Sequence, residues 1–142
     1  MAVMMDKSAL EAFLAREFPQ VGGDYEIEDV ADMAVRVRLK VRDKHLRPGG
    51  TVSGPSLFAL ADIGTYLAVL AMIGPQALAV TTNISMDFMR KPAGGADLIG
   101  QTRLLKLGRR LAVGECLIYS VGMADPVARA SMTYAIPPAT QR

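Results

Sequence analysis

Residues 53–73 read Ser53-Gly54-Pro55-Ser56-Leu57-Phe58-Ala59-Leu60-Ala61-Asp62-Ile63-Gly64-Thr65-Tyr66-Leu67-Ala68-Val69-Leu70-Ala71-Met72-Ile73, a nearly unbroken apolar run holding one carboxylate. Ser53 suits the capping position of a helix, and Pro55 suits its first turn, where a backbone N–H has no intrahelical partner to lose. Gly74-Pro75 supplies the stop. A helix that is apolar all round has no wet face and must be enclosed. An ionised carboxylate inside such an enclosure is costly without partners, so Asp62 requires either dedicated hydrogen bonds or a function.

The flanking segments say what encloses the helix. Upstream, Leu10, Phe13, Leu14 and Phe18 recur at helical spacing over residues 6–18, ended by Pro19 and Gly22-Gly23. Residues 24–32 make a weak strand. Over residues 33–41, Met33, Val35, Val37, Leu39 and Val41 alternate with Ala34, Arg36, Arg38 and Lys40, which gives a clear one. Downstream, residues 77–89, 98–107, 111–121 and 127–136 read as four strands joined by short Gly- and Pro-bearing turns. Consecutive strands with short connections favour an antiparallel sheet. The predicted class is α+β, with that sheet curled around one long central helix. Residues 1–142 are expected to form one domain: an N-terminal helix and turn over 1–23, a core over 24–136 and a tail over 137–142.

Composition narrows the function. The chain has 142 residues, 51% apolar and 21% charged, which is the balance of a packed globular protein. A net charge of +2 is too weak to indicate a nucleic-acid partner. Basic residues still cluster locally, at Arg90-Lys91 and at Lys106, Arg109 and Arg110, as solvated faces or as phosphate-binding patches. Cys116 is the single cysteine, which excludes an intrachain disulfide, and its apolar surroundings predict a buried, inert thiol. Residues 1–7 lack the basic start and apolar stretch of a secretory signal, so a reducing cytoplasm is expected. Asp62, Gly64 and the alternating strands argue against a membrane span over 56–73.

Three local patterns then give the sequence a family likeness. They are Gly50-Thr51-Val52-Ser53-Gly54-Pro55 leading to Asp62, the stretch Thr81-Thr82-Asn83-Ile84-Ser85-Met86-Asp87-Phe88-Met89-Arg90-Lys91-Pro92-Ala93, and the Lys106-Leu107-Gly108-Arg109-Arg110 turn. Over residues 45–136 the chain resembles the PaaI-like acyl-CoA thioesterases of the hotdog fold. The resemblance implies hydrolysis of an acyl-CoA thioester to free acid and coenzyme A. Asp62 would serve as general base or nucleophile and the Gly54 N–H as oxyanion donor. It also implies a homodimer, with dimer-of-dimers assembly open, whose subunits each supply half of every site. Thr82 matches the position whose hydroxyl places the attacking water, with Thr81 the alternative if the register slips by one. Coenzyme A enters as part of the substrate, and no separate cofactor is implied.

Where this chain has Ser53-Gly54-Pro55, the family usually has His-Gly-Gly, and Arg47 stands where many relatives place Asn. Arg47 could pair with Asp62 or contact substrate, but a guanidinium accepts no hydrogen bond. The substitutions favour a competing reading, a protein that holds acyl-CoA or another apolar ligand without turning it over. Apart from the resemblance, Asp62 reads as a helix-interior carboxylate satisfied by hydroxyls or by Arg47 across an interface. Ser53 is a helix cap and a substrate-binding candidate, and Thr65 reads either as a substrate contact or as a satisfied core hydroxyl. Arg90, Lys91 and Arg109 are the candidates for the coenzyme A phosphates. His45, the only histidine, is expected on a loop surface, and without a His/Cys cluster no metal site is expected.

Overall fold

The computed structural model describes residues 2–21 and 23–138; Gly22 of the expected turn and residues 139–142 of the expected tail lie outside the described residues. Helix α1 (Lys7–Glu17) is followed by a short turn of 3-10 helix at Pro19–Val21, strands β1 (Tyr25–Ala31) and β2 (Ala34–Leu39), and the long helix α2 (Gly54–Ile73). Four strands complete the chain: β3 (Val80–Phe88), β4 (Leu98–Leu107), β5 (Leu111–Ser120) and β6 (Ala128–Ala135). All six strands form one antiparallel sheet in the order β1-β2-β4-β5-β6-β3. The sheet wraps α2, which is the α+β architecture expected from the apolar run.

Thirteen residues of α2 are buried, from Leu57 to Met72, and its first turns, at Pro55, Phe58, Ala59 and Asp62, meet solvent, so the helix is held mainly by packing. The inward faces of Val35, Val37 and Leu39 on β2, Ala112, Cys116 and Ile118 on β5, and Ala130, Met132 and Tyr134 on β6 complete its enclosure. Burying each large aliphatic side chain contributes about 1.5–3 kcal/mol. Helix and sheet approach closely at Gly64, where a β-carbon would fall 2.8 Å from Thr102 Oγ1 on β4. The helix is long and apolar enough to cross a bilayer, with a mean hydropathy of 1.9, but most of that stretch is covered by its own sheet.

Three local expectations change. Met33, counted into a strand, instead occupies the β1–β2 turn with φ 60°, and its N–H points at the Met72 sulfur. His45, expected at the surface, is buried. Its Nδ1 accepts from the Arg42 N–H, and its carbonyl accepts from the Ser53 N–H at 2.8 Å, so it anchors the loop that launches α2. The strand expected over 77–89 begins only at Val80, because Ala77 and Leu78 turn the chain after the helix.

The sheet has two edges, β1 and β3. Strand β3 is nine residues long, and it exposes Val80 and Phe88. A long edge without proline is a ready template for a further strand.

Candidate active site

Asp62 lies in the third turn of α2, on the side of the helix that meets β6 and the start of β3, and it is partly exposed. Thr81 Oγ1 donates to Asp62 Oδ1 at 2.5 Å, and the Tyr134 hydroxyl donates to the same oxygen at 2.6 Å. The Tyr134 hydroxyl also lies 2.9 Å from the Asp62 main-chain carbonyl. Oδ2 accepts no hydrogen bond, and Asp62 has no ion-pair partner, among the described residues. The carboxylate is therefore tethered through one oxygen and open at the other.

A bulge decides which threonine arrives. In the β3–β6 ladder, Val80 pairs with Ala135, Thr81 with Tyr134 and Asn83 with Thr133, so Thr82 is an extra residue. Ile84 and Met86 point toward the core, and unbroken alternation would place Thr82 on that face with them. The extra residue shifts the phase by one, which turns Thr81 inward and leaves Thr82 exposed, donating to the Thr133 carbonyl. The structure thus brings Thr81 to Asp62 and not Thr82.

Asp62, Thr81 and Tyr134 sit in the wall of a cleft of about 610 Å³. Phe18, Val21 and Tyr25 from the N-terminal segment form another wall, and Ala59, Ile63 and Tyr66 of α2 the floor. Its size falls within the ordinary range for a small-molecule site. Tyr66 stands between Phe18, edge-on at 6.2 Å, and Tyr134 at 6.3 Å, and it donates to the Ala77 carbonyl. Burial, then the adjacent Asp62 charge, raises the Tyr134 phenol far above its ordinary value, so this hydroxyl remains a donor. Burial likewise raises Tyr25 and Tyr66. Tyr134 carried no marker in the sequence: it reads as one more inward residue of an alternating strand.

The start of α2 lies elsewhere on the molecule. Ser53 caps the helix, its Oγ accepting from the Ser56 N–H, and Pro55 has no N–H to offer. The Gly54 N–H is left without a partner among the described residues, a donor at the positive end of the helix dipole. A β-carbon at Gly54 would meet the Phe88 ring at 3.5 Å, so this donor lies beside the far end of β3 from Thr81. Eight residues of helix rise about 12 Å. Gly54 and Asp62 of one chain therefore cannot act on the same carbonyl.

The remaining candidates scatter. Thr65 is fully buried and donates to the Ala61 carbonyl, with the Met132 sulfur as its second neighbour, so it is a satisfied core hydroxyl away from the cleft. Arg47 is exposed in its loop, and its side chain has no partner among the described residues, Asp62 included. Arg90 donates to the Pro126 carbonyl, and Lys91 beside it is exposed. Arg109 lies past the other end of β6, since the Ile136 N–H reaches the carbonyl of its neighbour Arg110. An eight-residue strand spans about 24 Å, so one chain does not bring Arg90 and Lys91 to Arg109. Cys116 is buried, and burial pushes its thiol up to about 11, as expected of an inert side chain.

The element order and the enclosed helix agree with what known proteins show. The family model described as "Thioesterase superfamily" matches residues 49–126. A crystal structure of a "putative thioesterase" from Silicibacter sp. TM1040 superposes with a TM-score of 0.91 at 59% identity, covering 97% of this chain and 96% of that one. A mutant of the phenylacetic acid degradation protein PaaI from Thermus thermophilus superposes at 0.72 with 29% identity, covering 84% and 99%. The Pseudomonas aeruginosa protein named "Putative esterase PA0474" is 32% identical over 98 residues, 69% of this chain and 73% of that protein. The matched residues run from the loop before α2 through β3, β4 and β5, and so include both the Gly54 N–H and Asp62: the chain belongs to the thioesterase superfamily, with the hotdog fold.

Proposed function

We propose that this protein hydrolyses an acyl-CoA thioester to a carboxylic acid and coenzyme A, as a homodimer in which each site takes Asp62 from one subunit and the Gly54 N–H from the other. The observation that carries the reading is the separation of those two groups along α2. Asp62 lies at the Thr81 end of β3, and Gly54 lies at the Phe88 end. Two copies that pair antiparallel through the exposed β3 edges, about the middle residue Ile84, set each Phe88 opposite a second Val80. The helix start of one copy then faces the carboxylate of the other. The same pairing carries Arg109 of one copy toward Arg90 and Lys91 of the second, which gathers the basic residues for the phosphates of coenzyme A.

The chemistry follows from the groups. Asp62 Oδ2 takes a proton from water as the water oxygen bonds to the thioester carbon, and the Gly54 N–H receives the oxyanion. Collapse breaks the C–S bond, and the departing thiolate takes up the proton. In the second route Oδ2 attacks the carbon itself, giving a mixed anhydride that water then opens. Single turnover in labelled water tests the covalent route: label in the Asp62 carboxylate marks an anhydride opened at the aspartyl carbon, whereas the base route puts label in the product acid alone. Neither route calls on a metal or prosthetic group. The competing reading, a protein that holds its ligand without turnover, drew on Ser53-Gly54-Pro55. Pro55 removes its own N–H, yet the Gly54 N–H stays free, which favours chemistry.

Subunit complementation tests the proposal. Asp62→Asn and Gly54→Pro, each inactive in thiol release, are mixed and allowed to exchange. In a twofold dimer with shared sites, half the dimers are mixed and each holds one intact site, so about a quarter of wild-type activity returns. No return of activity in mixtures shown to have exchanged overturns the shared site. No thiol release by the wild type across aromatic, short and long acyl-CoAs overturns the hydrolase reading.

A further inference from the structure

We infer that Tyr134 is a positioning residue for Asp62: its hydroxyl pins Oδ1 and the helix carbonyl together, and so presents Oδ2 as the only oxygen free to react. The inference rests on the proposed role of Asp62 and concerns a residue beyond the 49–126 stretch that the family model matches. Three observations carry it. First, Thr81 and Tyr134 both donate to Oδ1, whereas Oδ2 accepts from no described residue. An aspartate has two equivalent oxygens in water, and two donors on one of them fix the plane of the carboxylate as well as its rotamer.

Second, the single Tyr134 hydroxyl proton is shared between Oδ1 at 2.6 Å and the main-chain carbonyl of the same residue at 2.9 Å. Thr81 touches the carboxylate alone, so only Tyr134 ties its orientation to the helix backbone. Third, Tyr134 is itself immobile. It is 2% exposed, lies on the interior strand β6, and packs its ring against Tyr66. A donor fixed by packing holds its acceptor better than one on a loop. The other titratable groups lining the cleft are Glu17 from α1, Tyr25 from β1 and Tyr66 from α2, and burial keeps both phenols neutral. No cation among the described residues shares the task.

Tyr134→Phe keeps the ring and deletes the hydroxyl. The readouts are kcat and KM for thiol release and the orientation of the Asp62 carboxylate in crystals of wild type and variant. The inference expects a kcat lower by about tenfold or more, KM within about twofold of wild type, and a carboxylate turned out of its wild-type plane in Tyr134→Phe. Tyr66→Phe, which also deletes a buried phenol from the cleft, should leave that orientation unchanged. An unmoved Asp62 carboxylate in folded Tyr134→Phe, or an equal change in Tyr66→Phe, overturns the inference. The orientation is read without turnover, so an inactive wild type would overturn the proposed function while leaving the role of Tyr134 to be decided by that orientation.

Discussion

Thr81 and Tyr134 are register partners across β3 and β6, and their hydroxyls meet at one oxygen of a carboxylate on a third element, α2. The pairing is made by the bulge at Thr82. Without the extra residue Thr81 would face outward and Thr82 would take its place on the inner face. An irregularity in a sheet edge thus sets the coordination of the carboxylate that the apolar helix carries.

Thr81 and Thr82 should therefore differ sharply on substitution. Thr81→Val removes a donor to Asp62, and kcat should fall by about tenfold, equivalent to about 1.4 kcal/mol of barrier. Thr82→Val removes only an exposed contact with a main-chain carbonyl, and kcat should stay within about twofold. Steady-state thiol release on the two variants decides it. Equal losses would mean that the bulge does not govern the site.

The fold was legible because its signals are redundant: a run from Ser53 to Ile73 with no polar stripe admits only an enclosed helix, and the alternation on either side supplies the sheet. Asp62 was legible as the one charge inside that run. The choice between Thr81 and Thr82 was not, because a bulge breaks the two-residue period without leaving a glycine or proline to mark it. Tyr134 was hidden for a different reason. Its hydroxyl has meaning only through a residue seventy-two positions earlier. His45 misled because a lone polar residue in a Pro-Gly-Gly loop reads as solvated, whereas its Nδ1 and carbonyl are both spent on the backbone leading into α2.

The ends of β2 and β4 give the protein an acid-sensitive clamp. Asp97 Oδ1 accepts from the Val41 N–H and Oδ2 from the Arg38 guanidinium, each at 2.9 Å. Burial acts to raise the Asp97 carboxyl, but the Val41 N–H, Arg38 and Lys40 outweigh it and hold the group below its ordinary value. A carboxyl whose folded pKa lies below the unfolded one stabilises the protein above the unfolded value of about 3.9 and loses that contribution as pH falls through the folded one. Asp97→Ala should be less stable than wild type by about 1 kcal/mol at pH 7. The gap should close by about pH 2, measured as denaturant midpoints across pH. A gap independent of pH would assign the loss to packing.

At Gly64 the helix leaves no room for a side chain against the sheet. Its α-carbon needs no unusual backbone angle, so Ala is locally acceptable and only space opposes it. The added methyl would press on Thr102 Oγ1, in a wall that is 1% exposed. Gly64→Ala should therefore destabilise by about 1–3 kcal/mol, although alanine is the better helix former. Thermal unfolding of the variant measures this, and a gain in stability would show that the helix and β4 can part at no cost.

Gly54→Pro isolates the oxyanion donor at a modest cost to the backbone. Proline is favoured in the first turn of a helix, and Ser53 before it already has φ −72° and ψ 152°, the extended geometry that a residue preceding proline adopts. Added side-chain atoms meet the Phe88 ring at ordinary contact distance, 3.5 Å. The Ser53 cap to the Ser56 N–H is untouched, but a residue with a β-carbon before Pro55 resists the helical region, so stability should fall by about 1 kcal/mol. Turnover should fall by about 10²–10³, the loss found on removing one oxyanion donor, with KM little changed because the N–H bonds most strongly to the charged intermediate. A folded dimeric variant that keeps its kcat would remove Gly54 from the chemistry, and with it the reason for sharing each site between two subunits.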